Sequence, residues 1–444
     1  MDDYLITVLE QIRCTKMYPE IEQELRGHIE EQAMANRASG MEEEEAMRCA
    51  IQDMGDPVET GVELDRIHRP KMAWDVIAVM AAVALASILI HIVIGLGSEE
   101  INFWPQNVYI AQAVVRTVAG FLIMLLVYRI DYSVLAKYGR LCAAVFLAFM
   151  TLGVFVFGLP VQGAATFFYI AGVSFSIPFS MFLYVPLYGA VLYQYRGSGW
   201  AGLLKSLVFL IYPIWLLFRI PIMSVALLLL LLLSALLSVA VLKDWFRIPK
   251  KIVLTMYWTA LAAIPAGGII MAVNGFFLSE YQQKRILSFL DNGARQYDYV
   301  ARMLAEYLKG SRLFGAGSEA VAGRLPNYYS SYILTFLSTY FGIAAACAVC
   351  LLIGAIVVKA FRIAFRQKNQ LGMMMGLGSG LVLFANMALN ILENTGLFPT
   401  TMTFLPFFSG TRTAMTVSYI LAGIVLSVYR YKSILPADLC ASVK

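Results

Sequence analysis

The sequence predicts an all-α, polytopic membrane protein of about ten transmembrane helices, preceded by a small cytoplasmic helical bundle. Three observations carry that reading. Of the 444 residues, 60% are hydrophobic and only 14% charged, against roughly a quarter charged in a soluble protein; a globular core cannot bury that excess. Ten stretches beyond residue 72 are long enough to cross a bilayer, which takes about 20 mainly apolar residues per helix. Charge is also divided along the chain. Residues 1–70 hold 17 Asp and Glu against 7 Lys and Arg, a net of −10, and the remainder holds 12 against 27, a net of +15.

The acidic piece, residues 1–71, reads as helices joined by tight turns. In "YPEIEQELRGHIEEQAMANRASG" Pro19 opens a helix, Ile21, Leu25 and Ile29 share one face, and Gly40 closes it. "MEEEEAMRCAIQDMGDP" repeats the pattern, with glutamates in the first turn, where the helix dipole favours them, and Gly55 and Pro57 as the stop. A solvated helix start explains the glutamate run better than a metal site. The chain opens on charged residues with no short apolar core behind a basic start, so no signal peptide is expected and the N-terminus stays on the side of synthesis.

The expected spans lie near 74–96, 108–128, 140–159, 166–192, 202–218, 222–242, 252–274, 331–358, 371–391 and 413–430. With the N-terminus inside, the short basic loops "RIDYSVLAKYGR", "YRGSGWAGLLK", "KDWFRIPKK" and "KAFRIAFRQKNQ" and the tail 434–444 also fall inside, as the positive-inside rule requires. The one long loop, about 275–330, then faces out. It carries seven Lys or Arg, which a loop of that length translocates regardless. Its pieces "YQQKRILSFLD" and "YDYVARMLAEYLKG" have the periodicity of amphipathic interfacial helices. A basic surface beside lipid suits an anionic amphiphile such as a pyrophosphate-linked lipid, and equally suits plain attraction to headgroups. No nucleic-acid partner is expected.

Within the spans, Arg116 is costly to bury and is by default a functional candidate. Arg219 lies near a span end, where it can snorkel. No acidic residue falls in mid-span, which weakens a proton-coupled transporter. The cysteines suggest no disulfide framework: Cys347 and Cys350 form a CxxC inside an apolar run, where small buried side chains are expected. The scattered His28, His68 and His91 do not suggest a metal site. No cofactor is assigned, and a divalent cation is left open.

Three strings in order, "YQQKRILSFLD" (281–291), "GSRLFGAG" (310–317) and "NMALNILENTGLFPTTMTFLPFFSG" (386–410), resemble the SEDS (FtsW/RodA/SpoVE) family of bacterial division, shape and sporulation proteins. The likeness runs over about residues 72–433. It implies ten spans in the bacterial cytoplasmic membrane, both termini cytoplasmic, with a large outer loop between the seventh and eighth spans. "MDDYLITVLEQIR" and "GMEEEEAMRCAIQDMGDPVETG" resemble a permease prefix (HAAS-type) domain, which implies a cytoplasmic regulatory role and no chemistry.

In family members that polymerise glycan strands, Leu-Pro-Glu is followed by Thr-Asp-Phe-Ile, whose aspartate is the essential carboxylate. Here "LPNYYSSYIL" puts Asn327 for the glutamate and Ser331 for the aspartate. Extending a strand from lipid II needs a base to take the acceptor proton and cations to steady the departing pyrophosphate; a serine hydroxyl is no base near neutral pH. The family's glycine-rich last loop is replaced by "SGTRTA", which adds Arg412. Three outcomes follow: a divergent glycosyltransferase using Glu319, Glu306, Asp298 or Glu393, for each of which a solvated loop charge is the favoured reading; a non-catalytic paralogue that binds a lipid-linked glycan or a partner; or a lipid-linked glycan or solute transporter. The first expectation is a site for lipid II or a similar undecaprenyl-linked glycan. Lys284, Arg285 and Arg412 would hold the pyrophosphate, with Arg116 and Ser409 beside them, and Pro326, Pro406, Gly315 and Gly317 would shape the turns. The resemblance also implies a single-pass class B penicillin-binding protein as partner.

Overall fold

The structure is a computed structural model and describes residues 1–68, 72–97, 100–101, 104–161, 164–170, 173–220, 222–273, 299–317, 325–398 and 401–432. The chain divides into two compact units, one built on Met1–Ala73 and the other on Trp74–Arg366 and Gln370–Ser427.

The first unit is a bundle of α1 (Asp2–Glu10), α2 (Tyr18–Ala38), α3 (Glu43–Asp53) and α4 (Pro57–His68). Gly40 and Gly55 take φ of +100° and +78°, a left-handed turn that glycine adopts without penalty. Pro57 does more than stop α3. It opens α4, and the Asp56 carboxylate accepts the amide of Val58 at 2.7 Å as the cap. Leu5, Val8, Ile21, Leu25 and Ile29 close into one core, each contributing about 1.5–3 kcal/mol by leaving water.

The second unit holds α5 (Trp74–Leu96), α6 (Gln106–Arg129), α7 (Val134–Phe155), α8 (Ile177–Ser180), α9 (Tyr184–Gln194), α10 (Gly199–Arg219), α11 (Met223–Leu242), α12 (Lys250–Val273), α13 (Tyr299–Lys309), α14 (Ile333–Tyr340), α15 (Ile343–Phe365), α16 (Gln370–Asn394) and α17 (Arg412–Arg430). Among the described residues nine helices are long and apolar enough to cross a membrane, α8 and α9 counting as one. The expected seventh span coincides with α12, a further helix of 24 residues. Leucines such as Leu85, Leu89, Leu122 and Leu126 stand exposed on α5 and α6; in water that would be an aggregation liability, and in lipid it is the natural surface of a span. The chain is a multi-pass membrane protein.

Two expectations need correction. The stretch 166–192 is not one helix. After a two-stranded ribbon of β1 (Glu100–Ile101) and β2 (Trp104–Pro105), a second antiparallel sheet joins β3 (Gly158–Val161), β4 (Ala164–Ile170) and β5 (Val173–Ser176) in that order, and the span begins only at Ile177. "AATFFYI" is short, aromatic and apolar, and hydropathy does not tell such a run from a helix segment. The stretch 331–358 is broken between α14 and α15 at Gly342, whose φ is +101°. A Cβ there would sit 2.6 Å from the Leu313 carbonyl. The break is held by backbone bonds from the "GSRLFGAG" segment: Gly315 N–H to Phe341 O at 3.0 Å, Gly317 N–H to Thr339 O at 2.7 Å, and Ile343 N–H to Arg312 O at 3.0 Å. Helix α13 packs on α14 and α16 and buries Leu304 and Tyr307.

Candidate functional site

Of the described candidates, Ser331, Glu393, Arg116, Arg412, Ser409, Pro326 and Pro406 gather where residues 325–332 and 401–412 meet α5, α6, α14 and α16. Ser331 is half-buried. Its carbonyl accepts two side-chain amides from α16, Asn390 Nδ2 at 2.8 Å and Asn394 Nδ2 at 3.1 Å. The Asn394 Oδ1 in turn accepts the Thr335 amide at 3.1 Å and its hydroxyl at 2.9 Å. A backbone carbonyl only accepts and a backbone amide only donates, so this network fixes which way the Asn394 amide points.

Glu393 is not a solvated loop charge. Helix α16 runs on to Asn394, and Glu393 is fully buried. Its Oε1 accepts both the amide and the hydroxyl of Thr401, and its Oε2 accepts the Thr403 hydroxyl. Thr403 also receives Asn390 Nδ2 at 3.4 Å. The carboxylate thus pins the loop after α16 to the helix that holds Ser331.

A second pin is Gly410, whose N–H donates to Tyr329 O at 2.9 Å. A Cβ on Gly410 would fall 2.4 Å from that oxygen, so only glycine permits the approach. Asn327 and Phe407 hold φ of +54° and +67°. Asparagine tolerates that region; for Phe407 it costs about 1–3 kcal/mol, offset by full burial of the ring against Tyr419. Pro326 and Pro406 open the turns that contain these two residues. Burial beside Tyr328 pushes the Tyr329 phenol up from its ordinary range, so it stays neutral.

The cation of the site is Arg116. Neighbouring Thr117 reaches Met415 Sδ at 3.4 Å, and a Cβ on Gly120 would meet the Tyr419 ring at 2.4 Å, so α6 and α17 run in close contact. This packing brings Arg116 within electrostatic reach of Arg412, the exposed first residue of α17. Arg116 is half-buried, and its Nε and Nη2 are buried with no protein acceptor. Those two nitrogens form one edge of the guanidinium, with two parallel N–H bonds matched to a bidentate oxyanion. Unsatisfied buried N–H groups cost about 1–3 kcal/mol, more on a charged group, so the edge is primed for an arriving anion.

Ser409 is buried and accepts the Thr411 amide at 3.3 Å. Gly315 and Gly317 serve the α14–α15 break. Glu306 is exposed on α13. Lys284, Arg285, Asp298 and Glu319 lie outside the described residues. His91 and Tyr109 were missed by the sequence reading, although a histidine in mid-span carries the same flag as Arg116. His91 is fully buried, with Nδ1 at 2.8 Å from the Tyr109 hydroxyl and Nε2 at 3.0 Å from Phe408 O.

Fold and site together define a polytopic α-helical membrane protein with a polar site at one end of its bundle, flanked by the half-buried Arg116 and the exposed Arg412. Residues 72–434 match the model of the FtsW/RodA/SpoVE cell cycle proteins, and the chain belongs to that family. A relative in a Synechocystis species, named a probable peptidoglycan glycosyltransferase FtsW, is 29% identical over 179 residues, covering 39% of this chain; the chain spans 45% of that relative's length. A protein of Enterococcus hirae with the same name is 26% identical over 342 residues, 73% of this chain and 83% of that one. Among solved structures, a chain of a peptidoglycan synthase complex, described as coordinating polymerization and crosslinking, superposes with a TM-score of 0.65 at 18% identity, over 81% of this chain and 98% of its own. At that identity the likeness concerns the fold.

Proposed function

We propose that this protein works in bacterial cell-wall synthesis as a binder of an undecaprenyl-linked glycan such as lipid II, and that its polymerase activity has lapsed. The observation that carries the reading is the open Nε–Nη2 edge of Arg116 beside Arg412, a buried receptor for the pyrophosphate of a lipid carrier. Names of the relatives, glycosyltransferases of peptidoglycan, support the substrate class. Lys284 and Arg285 would add charge from the long loop. Lapsed activity rests on Ser331. It stands where the family's polymerases carry their aspartate, and a hydroxyl does not take the acceptor proton. Glu393 offers no ready replacement, since its oxygens are occupied by Thr401 and Thr403.

In this reading the site end faces outward and both termini are cytoplasmic. Residues 1–71 are a permease prefix domain whose acidic surface recruits a soluble regulator, residues 72–433 are the membrane domain, and 434–444 are a tail. A class B penicillin-binding protein is the proposed membrane partner, by likeness to the synthase complex. The test is strand formation from labelled lipid II by the purified protein and by Ser331→Asp. Strands from Ser331→Asp alone support a lapsed enzyme kept as a binder; strands from the native protein would overturn the lapse and direct attention to Glu306, Asp298 and Glu319.

A further inference from the structure

We propose that the sheet of β3, β4 and β5 is a membrane anchor lying in the headgroup interface of the bilayer, with its aromatic outer face against lipid. From Leu141 to Tyr195 the chain carries no Asp, Glu, Lys, Arg or His. That run takes in most of α7, all three strands and the span Ile177–Gln194. An antiparallel sheet with one face in water alternates apolar inside with polar outside. Here β4 alternates as a strand must, but without polar residues on its outer face: Thr166 and Phe168 are buried, Phe167 is half-buried and Tyr169 is exposed. Phe168 seats the inner face on α7, its ring 5.5 Å from that of Phe149 and stacked on Phe175 at 5.6 Å.

Two constraints bracket the depth. The sheet is tied to span ends on both sides: α7 stops at Phe155 and β3 starts at Gly158, while the next span starts at Ile177, directly after Ser176 ends β5. Such short links hold it at the membrane boundary. The hydrocarbon core is excluded, because β3 and β5 are the edges of an open sheet and unpaired edge groups are not tolerated against lipid tails. What remains is the interface, where water still reaches the backbone and aromatic rings concentrate. The surface beside the sheet has that composition. Phe155, Phe157 and Trp215 are exposed, with Phe155 and Trp215 6.4 Å apart between ring centroids. The Arg219 guanidinium stands 5.9 Å from the centre of the Phe155 ring, a cation whose stem lies on apolar surface while its head reaches lipid phosphates. The Ser176 amide donates to the Thr413 hydroxyl at 2.9 Å, so the anchored sheet adjoins the first turn of α17, which carries Arg412.

The test reads depth by fluorescence quenching of the full-length protein in lipid nanodiscs. Tyr169→Trp and, separately, Phe167→Trp place a reporter on the outer face of β4, and the signal of the native protein is subtracted from each. The lipids carry a nitroxide on the headgroup, at the top of the acyl chain or near its end, and acrylamide is the aqueous quencher. Each reporter should be quenched at least twofold more strongly by the two shallow nitroxides than by the deep one, and should be at least twofold less accessible to acrylamide than free tryptophan. Acrylamide quenching equal to that of free tryptophan, with no effect of any nitroxide, places the face in water and overturns the proposal. Strongest quenching by the deep nitroxide places it in the hydrocarbon and overturns it equally. Thermal melting is followed for both variants, so that a misfolded Tyr169→Trp leaves Phe167→Trp as the deciding case. No ligand takes part, so the outcome is separate from that of the lipid II experiments.

Discussion

Replacing Glu393 tests whether the site is held together by a buried carboxylate or merely contains one. In Glu393→Ala the half-buried Thr401 loses the acceptor of both its amide and its hydroxyl, at about 2 kcal/mol for the orphaned donors. The void left by the deleted side-chain atoms adds about 1–2 kcal/mol, while the Thr403 hydroxyl keeps its contact with Asn390. The expected loss is about 3–4 kcal/mol. Glu393→Gln behaves differently: its carbonyl oxygen can stay under the two Thr401 donors, and its amide can donate to Thr403 Oγ1, whose hydroxyl hydrogen turns away. That variant should lose only about 1 kcal/mol, the net worth of a hydrogen bond. Equilibrium unfolding in mixed dodecylmaltoside and SDS micelles, followed by tryptophan fluorescence, reads both values. A loss below about 1 kcal/mol in Glu393→Ala, or equal losses in the two variants, would refute the reasoning.

Three further outcomes follow from the geometry. Gly410→Ala, with its Cβ driven to 2.4 Å from the Tyr329 carbonyl, should separate the two loops, cost about 1–3 kcal/mol by overpacking and weaken lipid II binding, measured by thermal melting and by a binding assay. Gly342→Ala, at φ +101° and 2.6 Å from Leu313 O, should destabilise by about 1–3 kcal/mol and raise hydrogen exchange at the Gly315, Gly317 and Ile343 amides. Arg116→Gln should melt no lower than the native protein in the absence of ligand, because it removes buried N–H groups that no protein atom satisfies.

The sequence made long, uniformly apolar spans such as 74–96 and 222–242 legible because local composition alone sets them. It did not make the break at Gly342 legible, since that turn is shaped by the backbone of residues 312–317, some thirty positions earlier. Residues 166–176 have the sequence character of a helix because hydropathy does not separate aromatic strands from helices. Arg116 is legible because a charge in an apolar run stands out in isolation, whereas Glu393 falls two residues beyond the expected span end, where the sequence predicts a loop. Its burial depends on hydroxyls at Thr401 and Thr403, a partnership that becomes visible only when the chain turns back on itself. His91 belongs with Glu393: its partners Tyr109 and Phe408 come from two other parts of the chain.

Direct binding of lipid II tests the central claim. Full-length protein in nanodiscs is titrated with fluorescent lipid II, and undecaprenyl pyrophosphate is added as competitor. Saturable binding, displaced by the pyrophosphate carrier and lost in Arg116→Gln, is the predicted result. Binding that is absent, or that Arg116→Gln leaves unchanged, contradicts the account.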